Sequence, residues 1–152
     1  MKILDFLPRE AILGDLQSQD KKGVLEELVA PVADHAGTSQ EKLVRVLLER
    51  ERLGSTGIGN GIGIPHGKSN ELENLVIGFG RSPKGVEFES MDGKPTHIFF
   101  LIITPDNSTS LHLKVLARIS RLLKSESFKD GLMSAADSGE IYDIIKLEDE
   151  DF

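Results

Sequence analysis

The chain has 152 residues, of which 39% are hydrophobic and 28% charged, and its net charge at pH 7 is −7. This length predicts a single domain, and the absence of cysteine excludes disulfides, thiolate metal sites and cysteine nucleophiles. The negative charge opposes nucleic-acid binding, which needs a basic surface. The longest apolar run, residues 98–103, is too short to cross a bilayer, and Asp5 and Glu10 interrupt any signal-peptide core. We therefore expect a cytoplasmic protein without direct membrane insertion.

The first third of the chain has helical spacing. Apolar residues recur every three to four positions across residues 21–36, with a kink or an early break expected at Pro31. The Thr-x-x-Glu pattern that begins at Thr38 is typical of a capping box, and it predicts a second helix that ends at Gly54. Arg50 falls in the last turn of that helix, where the helix dipole favours a cation. We expect its side chain to point towards the segment that follows.

The second half of the chain alternates strand and helix patterns. Strands are predicted at residues 75–79, 86–88 and 98–103, and helices at residues 108–124, 127–135 and 139–146. The run at 98–103 is continuously apolar, which indicates a central strand covered on both faces. This order of elements predicts an α/β fold, a three-layer α/β/α sandwich with a mixed, mostly buried sheet. We expect one domain over residues 1–147, followed by a solvated acidic tail at 148–152.

A glycine-rich segment joins the second helix to the first long strand, with six glycines among residues 54–67. Glycine allows positive φ angles and close approach of another group. The segment is not a P-loop, because only three residues separate Gly63 from Gly67 and because a helix, not a strand, precedes it. The dinucleotide-binding fingerprint also fails, since no frame supplies its last glycine. Both nucleotide-binding interpretations are therefore weak.

His66 lies at the centre of this segment, between Pro65 and Gly67. One interpretation is a turn histidine with no chemical role. The other is a nucleophile, because a neutral imidazole can form a covalent phosphoryl adduct near pH 7. The residues alone leave these two interpretations open. His35 and His97 are expected to be structural, and the spacing of the four histidines indicates no metal site.

The run of residues 51–68 resembles the active-site signature of enzyme IIA domains of the fructose/mannitol class of the phosphotransferase system. It contains Gly-Ser-Thr-Gly-Ile-Gly-Asn-Gly and Ile-Pro-His-Gly-Lys, and it is most similar to the nitrogen-type, regulatory branch of that class. The resemblance implies a phosphotransferase component whose His66 accepts a phosphoryl group from the phosphohistidine of an HPr-like carrier protein. It also implies transfer to a IIB permease domain, or use of the phosphate as a regulatory signal.

The same resemblance implies roles for Arg50, in Arg-Glu-x-Leu, and for His112, which follows the central strand. Both would stabilise the phosphate. From spacing alone, Arg50 would be a surface ion-pair partner of a neighbouring glutamate and His112 a partly buried structural histidine. Ser55 and Thr56 are candidates for phosphate binding, or alternatively cap the loop. No cofactor is expected, because a phosphohistidine donor already has a high transfer potential.

Two functions remain open at this stage. In the first, the chain relays the phosphoryl group towards sugar transport. In the second, it is a regulatory binding module whose affinity for a protein partner is switched by phosphorylation at His66. The nitrogen-type resemblance favours regulation.

Overall fold

The computed structural model describes residues 2–150, which form five α-helices around a six-stranded sheet. The helices are α1 (Lys21–Ala36), α2 (Gln40–Arg52), α3 (Thr109–Leu122), α4 (Glu126–Ser134) and α5 (Ser138–Glu150). The strands are β1 (Ile12–Leu13), β2 (Gly57–Gly59), β3 (Ile62–Gly63), β4 (His66–Lys68), β5 (Val76–Val86) and β6 (Thr96–Thr104). Among these residues, no helix is long and apolar enough to span a bilayer.

The sheet is mixed, with the strand order β1-β5-β6-β3-β2. Strand β6 runs antiparallel to β5 on one side and parallel to β3 and then β4 on the other. Residues 98–103 are each at most 3% exposed, as expected for a central strand covered on both faces. The glycine-rich segment forms the three short strands β2, β3 and β4: β3 and β4 pair with successive stretches of β6, and β2 and β4 lie at the edge of the sheet.

Helices cover both faces of the sheet. On one face α1 packs closely on β5, since a Cβ at Gly78 would lie 3.1 Å from Val32 Cγ2, and α2 packs on α1. On the other face, the guanidinium of Arg81 donates a 3.0 Å hydrogen bond to the Leu132 carbonyl of α4. Helices α3 and α5 also pack against the sheet, at β6 and β1. The predicted three-layer α/β/α sandwich is confirmed.

Two local predictions in the helical third are wrong, the early break at Pro31 and the cap at Thr38. Helix α1 continues through Pro31 to Ala36, where Gly37 ends it in the left-handed conformation, and the kink at Pro31 stays a prediction. A buried stripe on both sides of the proline packs on β5 and α2, and this burial offsets the cost of about 3 kcal/mol for proline in a helix. The cap of α2 is Ser39, whose hydroxyl accepts from Lys42 N, and not Thr38.

The predicted acidic tail is also wrong where the structure describes it. Helix α5 continues to Glu150, and Asp149 is only 1% exposed. Its carboxylate accepts hydrogen bonds from Ile3 N at 2.7 Å and from Arg118 Nε at 2.8 Å. Residues 148–150 therefore belong to the domain, because Asp149 joins the last helix to the start of the chain. Residues 151 and 152 lie outside the described part.

The two strands predicted at 75–79 and 86–88 differ from the observed ones. A single strand, β5, extends from Val76 to Val86, and its pairing with β6 shifts register between Arg81 and Val86. Ser82, Pro83 and the glycine at 85 interrupt the apolar pattern there. The sequence pattern therefore indicates two strands, although the pairing with β6 resumes at Val86.

Candidate functional site

An open cleft of about 450 Å³ lies at the β4 edge of the sheet, between α2 and α3. It contains the three residues that the sequence assigns to the chemistry: Arg50 from α2, His66 from β4 and His112 from α3. The residues that line the cleft are Val46, Glu49, Arg50, Leu53, His66, Gly67, Lys68 and His112. The fold therefore brings together side chains that are up to 62 positions apart in the sequence, counted from Arg50 to His112.

His66 is held in one orientation by the chain just before it. Its Nδ1 lies 2.7 Å from the Ile64 carbonyl oxygen. Because a carbonyl oxygen only accepts, Nδ1 carries the proton, and in the neutral ring the lone pair is on Nε2. The strand itself is fixed by the Pro65 carbonyl, which accepts from Ile102 N at 3.0 Å. His66 is half-buried, so this nitrogen belongs to a ring that is fixed and still accessible.

Gly67 allows α2 to approach β4 closely. A Cβ at this position would lie 2.8 Å from Val46 Cγ1, which is closer than real side chains come. The glycine after His66 is therefore explained by packing against α2, the helix that supplies Arg50.

His112 lies in the first turn of α3 and is 5% exposed. Its Nδ1 lies 2.6 Å from the hydroxyl of the buried Thr104, and its ring centroid is 5.5 Å from that of His66. Burial lowers the pKa of His112, and the nearby charges of His66 and then Lys68 lower it further. The ring is therefore neutral near pH 7, and its Nδ1 is already used by Thr104.

Arg50 does not form the surface ion pair with a neighbouring glutamate that its spacing in the sequence predicts. Its Nη1 donates to the Gly54 carbonyl at 2.9 Å. Glu49 pairs with Arg52 at 3.1 Å, whereas Glu51 pairs with Lys21 at 3.0 Å. Within residues 2–150, neither glutamate forms an ion pair with Arg50, which is one of the residues that line the cleft.

Lys68 adds a second permanent cation to the cleft. Its Nζ donates to the Thr109 hydroxyl at 2.7 Å, which ties the end of β4 to the first residue of α3. Lys68 is exposed, so its ammonium remains in solvent while it contributes positive potential beside His112.

Ser55 and Thr56 have partners elsewhere, and neither lines the cleft. The Ser55 hydroxyl donates to the Phe88 carbonyl at 2.9 Å and accepts from Gly57 N at 3.0 Å. Thr56 is 3% exposed, and both its backbone N–H and its hydroxyl donate to the carboxylate of Glu51. These contacts match the loop-capping alternative.

His35 and His97 lie away from the cleft. His35 Nδ1 is 3.1 Å from a carboxylate oxygen of Glu10 on the surface, and His97 Nδ1 is 2.8 Å from the Ser82 carbonyl. Over the described part of the chain, no group of three or more His, Asp or Glu side chains is arranged to hold a metal ion.

Sequence reasoning missed Thr104, whose hydroxyl contacts the ring of His112, and Glu51, which does not line the cleft but binds Thr56. A signal for Glu51 was available, because Leu43, Leu47 and Glu51 follow one another at intervals of four. These three residues and Val44 are the buried residues of α2, so a glutamate occupies a core position. No pattern marked Thr104, which is the last residue of the central strand.

The chain is similar to known proteins over nearly its whole length. Residues 5–148 match the family model for phosphoenolpyruvate-dependent sugar phosphotransferase system, EIIA 2. A nitrogen regulatory protein of Bradyrhizobium diazoefficiens is 41% identical over 147 residues, which cover 97% of this chain and 96% of that protein. The fructose-specific EIIABC component of the phosphotransferase system of Bacillus subtilis is 39% identical over 151 residues, which cover 98% of this chain and 24% of that protein.

A solved structure agrees with the sequence matches. Nitrogen regulatory protein IIA-Ntr from Neisseria meningitidis superposes with a TM-score of 0.87 at 31% identity. The superposition covers 93% of this chain and 97% of that one.

Proposed function

The chain belongs to the EIIA 2 family of the phosphoenolpyruvate-dependent sugar phosphotransferase system, and on that premise we propose that Nε2 of His66 accepts and releases a phosphoryl group. The observation that carries the proposal is the 2.7 Å contact between His66 Nδ1 and the Ile64 carbonyl oxygen. It leaves a fixed nucleophilic nitrogen on a ring that lines a cleft with two cations and a second, neutral imidazole.

The proposed donor is a phosphohistidine on an HPr-like carrier protein. The P–N bond of the donor breaks, and its electron pair stays on the donor's ring nitrogen. The lone pair of His66 Nε2 forms the new N–P bond, while Nδ1 keeps its proton against the Ile64 carbonyl. The donor ring carries a proton on its other nitrogen and so leaves as a neutral imidazole, and atoms and charge balance without a metal or a nucleotide.

Arg50 and His112 would hold the phosphoryl oxygens during this transfer. A guanidinium offers directional hydrogen bonds to phosphate, and hydrogen bonds to charged groups contribute about 1.5–3 kcal/mol each. If the Thr104 hydroxyl donates to Nδ1 of His112, its Nε2–H is left for the phosphate. Phosphoryl transfer passes through a loose transition state, so positioning and charge stabilisation supply most of the catalysis.

The proposed downstream partner is either a IIB permease domain or a regulatory target protein. Similarity to a fructose-specific EIIABC component supports the first, since that longer protein contains the other components. Similarity over almost full length to a nitrogen regulatory protein supports the second, in which phosphorylated and unphosphorylated forms differ in affinity for a target.

The test is reconstituted phosphotransfer with phosphoenolpyruvate, enzyme I and an HPr-like carrier, read by intact mass. We expect one acid-labile phosphoryl adduct that maps to His66. His66→Ala should take up none, whereas His35→Ala, which changes an exposed histidine away from the cleft, should behave as wild type. An adduct on folded His66→Ala protein contradicts the proposal.

The two downstream roles are then separated with the phosphorylated chain. Transfer of label to a IIB domain supports the transport role. A target whose affinity changes between wild type and His66→Ala under phosphorylating conditions supports the regulatory role.

A further inference from the structure

The buried carboxylate of Glu51 is linked to the active-site ring through the backbone. Glu51 is at the end of α2, and its side chain is 3% exposed. Three donors converge on its two oxygens: Lys21 Nζ at 3.0 Å, Thr56 N at 3.1 Å and the Thr56 hydroxyl. Removing this acceptor would leave a buried backbone N–H without its partner. It would also remove the buried one of two carboxylates that pair with Lys21, the other being the exposed Glu89 at 3.2 Å.

Thr56 passes this restraint on to the strand that carries His66. The Thr56 carbonyl accepts from Ile64 N at 3.0 Å, and the Ile64 carbonyl accepts from His66 Nδ1 at 2.7 Å. Hence Glu51 holds the backbone N–H and the hydroxyl of Thr56, the Thr56 carbonyl holds Ile64, and the Ile64 carbonyl holds the His66 ring. The hydrogen bond at one nitrogen of a histidine decides which nitrogen carries the lone pair.

The turn that contacts Arg50 is held by the same residue, through its main-chain carbonyl. Gly54 lies between Glu51 and Thr56, and its carbonyl accepts from Arg50 Nη1 at 2.9 Å. Gly54 N in turn donates to the Glu51 carbonyl at 3.1 Å. Two residues that line the cleft, His66 and Arg50, are therefore both connected by hydrogen bonds to the short turn at residues 53–56.

We propose that Glu51, held by Lys21, is a positioning residue: through Thr56 and Ile64 it maintains His66 in the Nδ1–H tautomer, with Nε2 ready for phosphoryl transfer. The inference rests on the proposed phosphoryl acceptance at His66. It goes beyond that function because the His66 tautomer of the unphosphorylated protein then depends on a carboxylate that does not line the cleft.

The test uses Glu51→Met, which keeps the approximate shape and removes both acceptor oxygens. Glu51→Gln is the conservative partner, because its amide oxygen still accepts from Lys21 and Thr56 N while its NH₂ donates to the Thr56 hydroxyl. The matched control is Asp149→Asn, which alters another buried carboxylate far along the chain, at the junction of the two ends. The free energy of unfolding is measured for all three by urea denaturation.

The first readout is the pair of ring nitrogen shifts of His66 in long-range proton–nitrogen NMR spectra at about pH 8, above the ordinary histidine pKa of about 6.5. Wild type, Glu51→Gln and Asp149→Asn should show a protonated Nδ1 and an unprotonated Nε2. Glu51→Met should show averaged shifts from a mixture of tautomers. A purely structural role for Glu51 would lower stability and leave these shifts unchanged.

The second readout is the phosphorylation rate against the concentration of phosphorylated carrier. We expect Glu51→Met to lower the rate at saturating carrier roughly 10- to 100-fold, the range found when outer partners that orient a histidine are removed. The carrier concentration at half-maximal rate should stay within about twofold, since the docking surface is intact. Glu51→Gln should recover most of the rate.

Wild-type ring nitrogen shifts in folded Glu51→Met overturn the inference, whatever the phosphorylation rate. If Glu51→Met does not fold, Glu51→Asp replaces it, because the shorter carboxylate retains its charge and loses its reach to Thr56, and the same two readouts apply. Failure of wild type to accept phosphate from any carrier would refute the proposed function instead. The tautomer shifts would still decide the role of Glu51.

Discussion

The close contact between β4 and α2 gives a quantitative test of how the cleft is built. Gly67→Ala adds a Cβ that lies 2.8 Å from Val46 Cγ1, while the next nearest atoms, Leu47 Cδ2 and the Val46 carbonyl oxygen, are 3.8 and 4.0 Å away. The φ angle of Gly67 is not positive, so alanine meets no backbone strain. The whole cost is therefore the overlap with a single methyl group on a stiff, β-branched side chain.

Overpacking of this kind costs typically about 1–3 kcal/mol, and we expect Gly67→Ala to lower the free energy of unfolding by that amount. Val46→Ala removes the clashing methyl group from a half-buried side chain and should cost about 1 kcal/mol by itself. In the double variant the remaining contacts are at ordinary van der Waals distance. The two changes should therefore be non-additive, with a favourable coupling of at least about 1 kcal/mol.

Urea denaturation followed by circular dichroism measures the free energy of unfolding of wild type, the two single variants and the double variant, which together form a double-mutant cycle. Gly131→Ala serves as the control for adding a Cβ at a glycine. A Cβ at Gly131, in α4, would meet Ile144 at 3.7 Å, so this change should be neutral or stabilising. Phosphorylation of Gly67→Ala should be slowed about tenfold or more, because displacement of β4 moves His66 relative to Arg50. Additive effects of Gly67→Ala and Val46→Ala, within about 0.5 kcal/mol, would falsify this account.

Three further predictions concern charge. The pKa of His112 is lower in the folded chain than its ordinary value of 6.5, so the unfolded chain binds more protons just below that pH. Stability should therefore fall as the pH drops from about 6.5 towards the lowered pKa, by at most about 1.4 kcal/mol per pH unit, and urea denaturation of His112→Gln should lack this component. Arg50→Gln should slow phosphorylation roughly 10- to 100-fold in time-resolved mass spectra, while Arg52→Gln, which removes an exposed partner of a neighbouring glutamate, should not. Asp149→Asn should lower the free energy of unfolding by about 1–3 kcal/mol, because Arg118 loses a buried counter-charge, and an unchanged urea midpoint would contradict this.

The central elements of the fold were predictable because their signals are local. Residues 98–103 are continuously apolar, and the helix after them has a regular stripe, so the buried strand and its following helix could be read directly. The early break predicted as one alternative at Pro31 is wrong, since the packing that keeps α1 continuous comes from β5 and α2, which a local pattern cannot show.

The prediction of a solvated C-terminal tail was wrong for a similar reason. A run of four acidic residues at 148–151 has the composition of a solvated tail. Asp149 nevertheless enters the interior, because Ile3 N and Arg118 provide the partners that a buried carboxylate requires. Those partners are 146 and 31 positions away, and nothing in the acidic run indicates them.

In the candidate site, too, local motifs identified residues, whereas contacts made by the folding of the chain could not be predicted. The motif identified His66, and the resemblance identified Arg50 and His112, which the structure brings into one cleft. Ser55 and Thr56 were chosen because hydroxyls beside a phosphate site are natural ligands. Their partners, a carbonyl 33 residues later and a carboxylate five residues earlier, depend on how the turn folds back.

The motif around His66 can now be explained one residue at a time. Ile64 supplies the carbonyl that holds the proton on Nδ1, two positions before the ring. Pro65 has no N–H to donate, and its carbonyl pairs with Ile102 to fix the strand against β6. Gly67 lets α2 come close enough to place Arg50 in the same cleft. Each of these neighbours therefore helps to fix the position or the tautomer of the His66 ring. It follows that substitutions beside the histidine should impair transfer by moving or re-protonating the ring, even where they remove no group that contacts the phosphate.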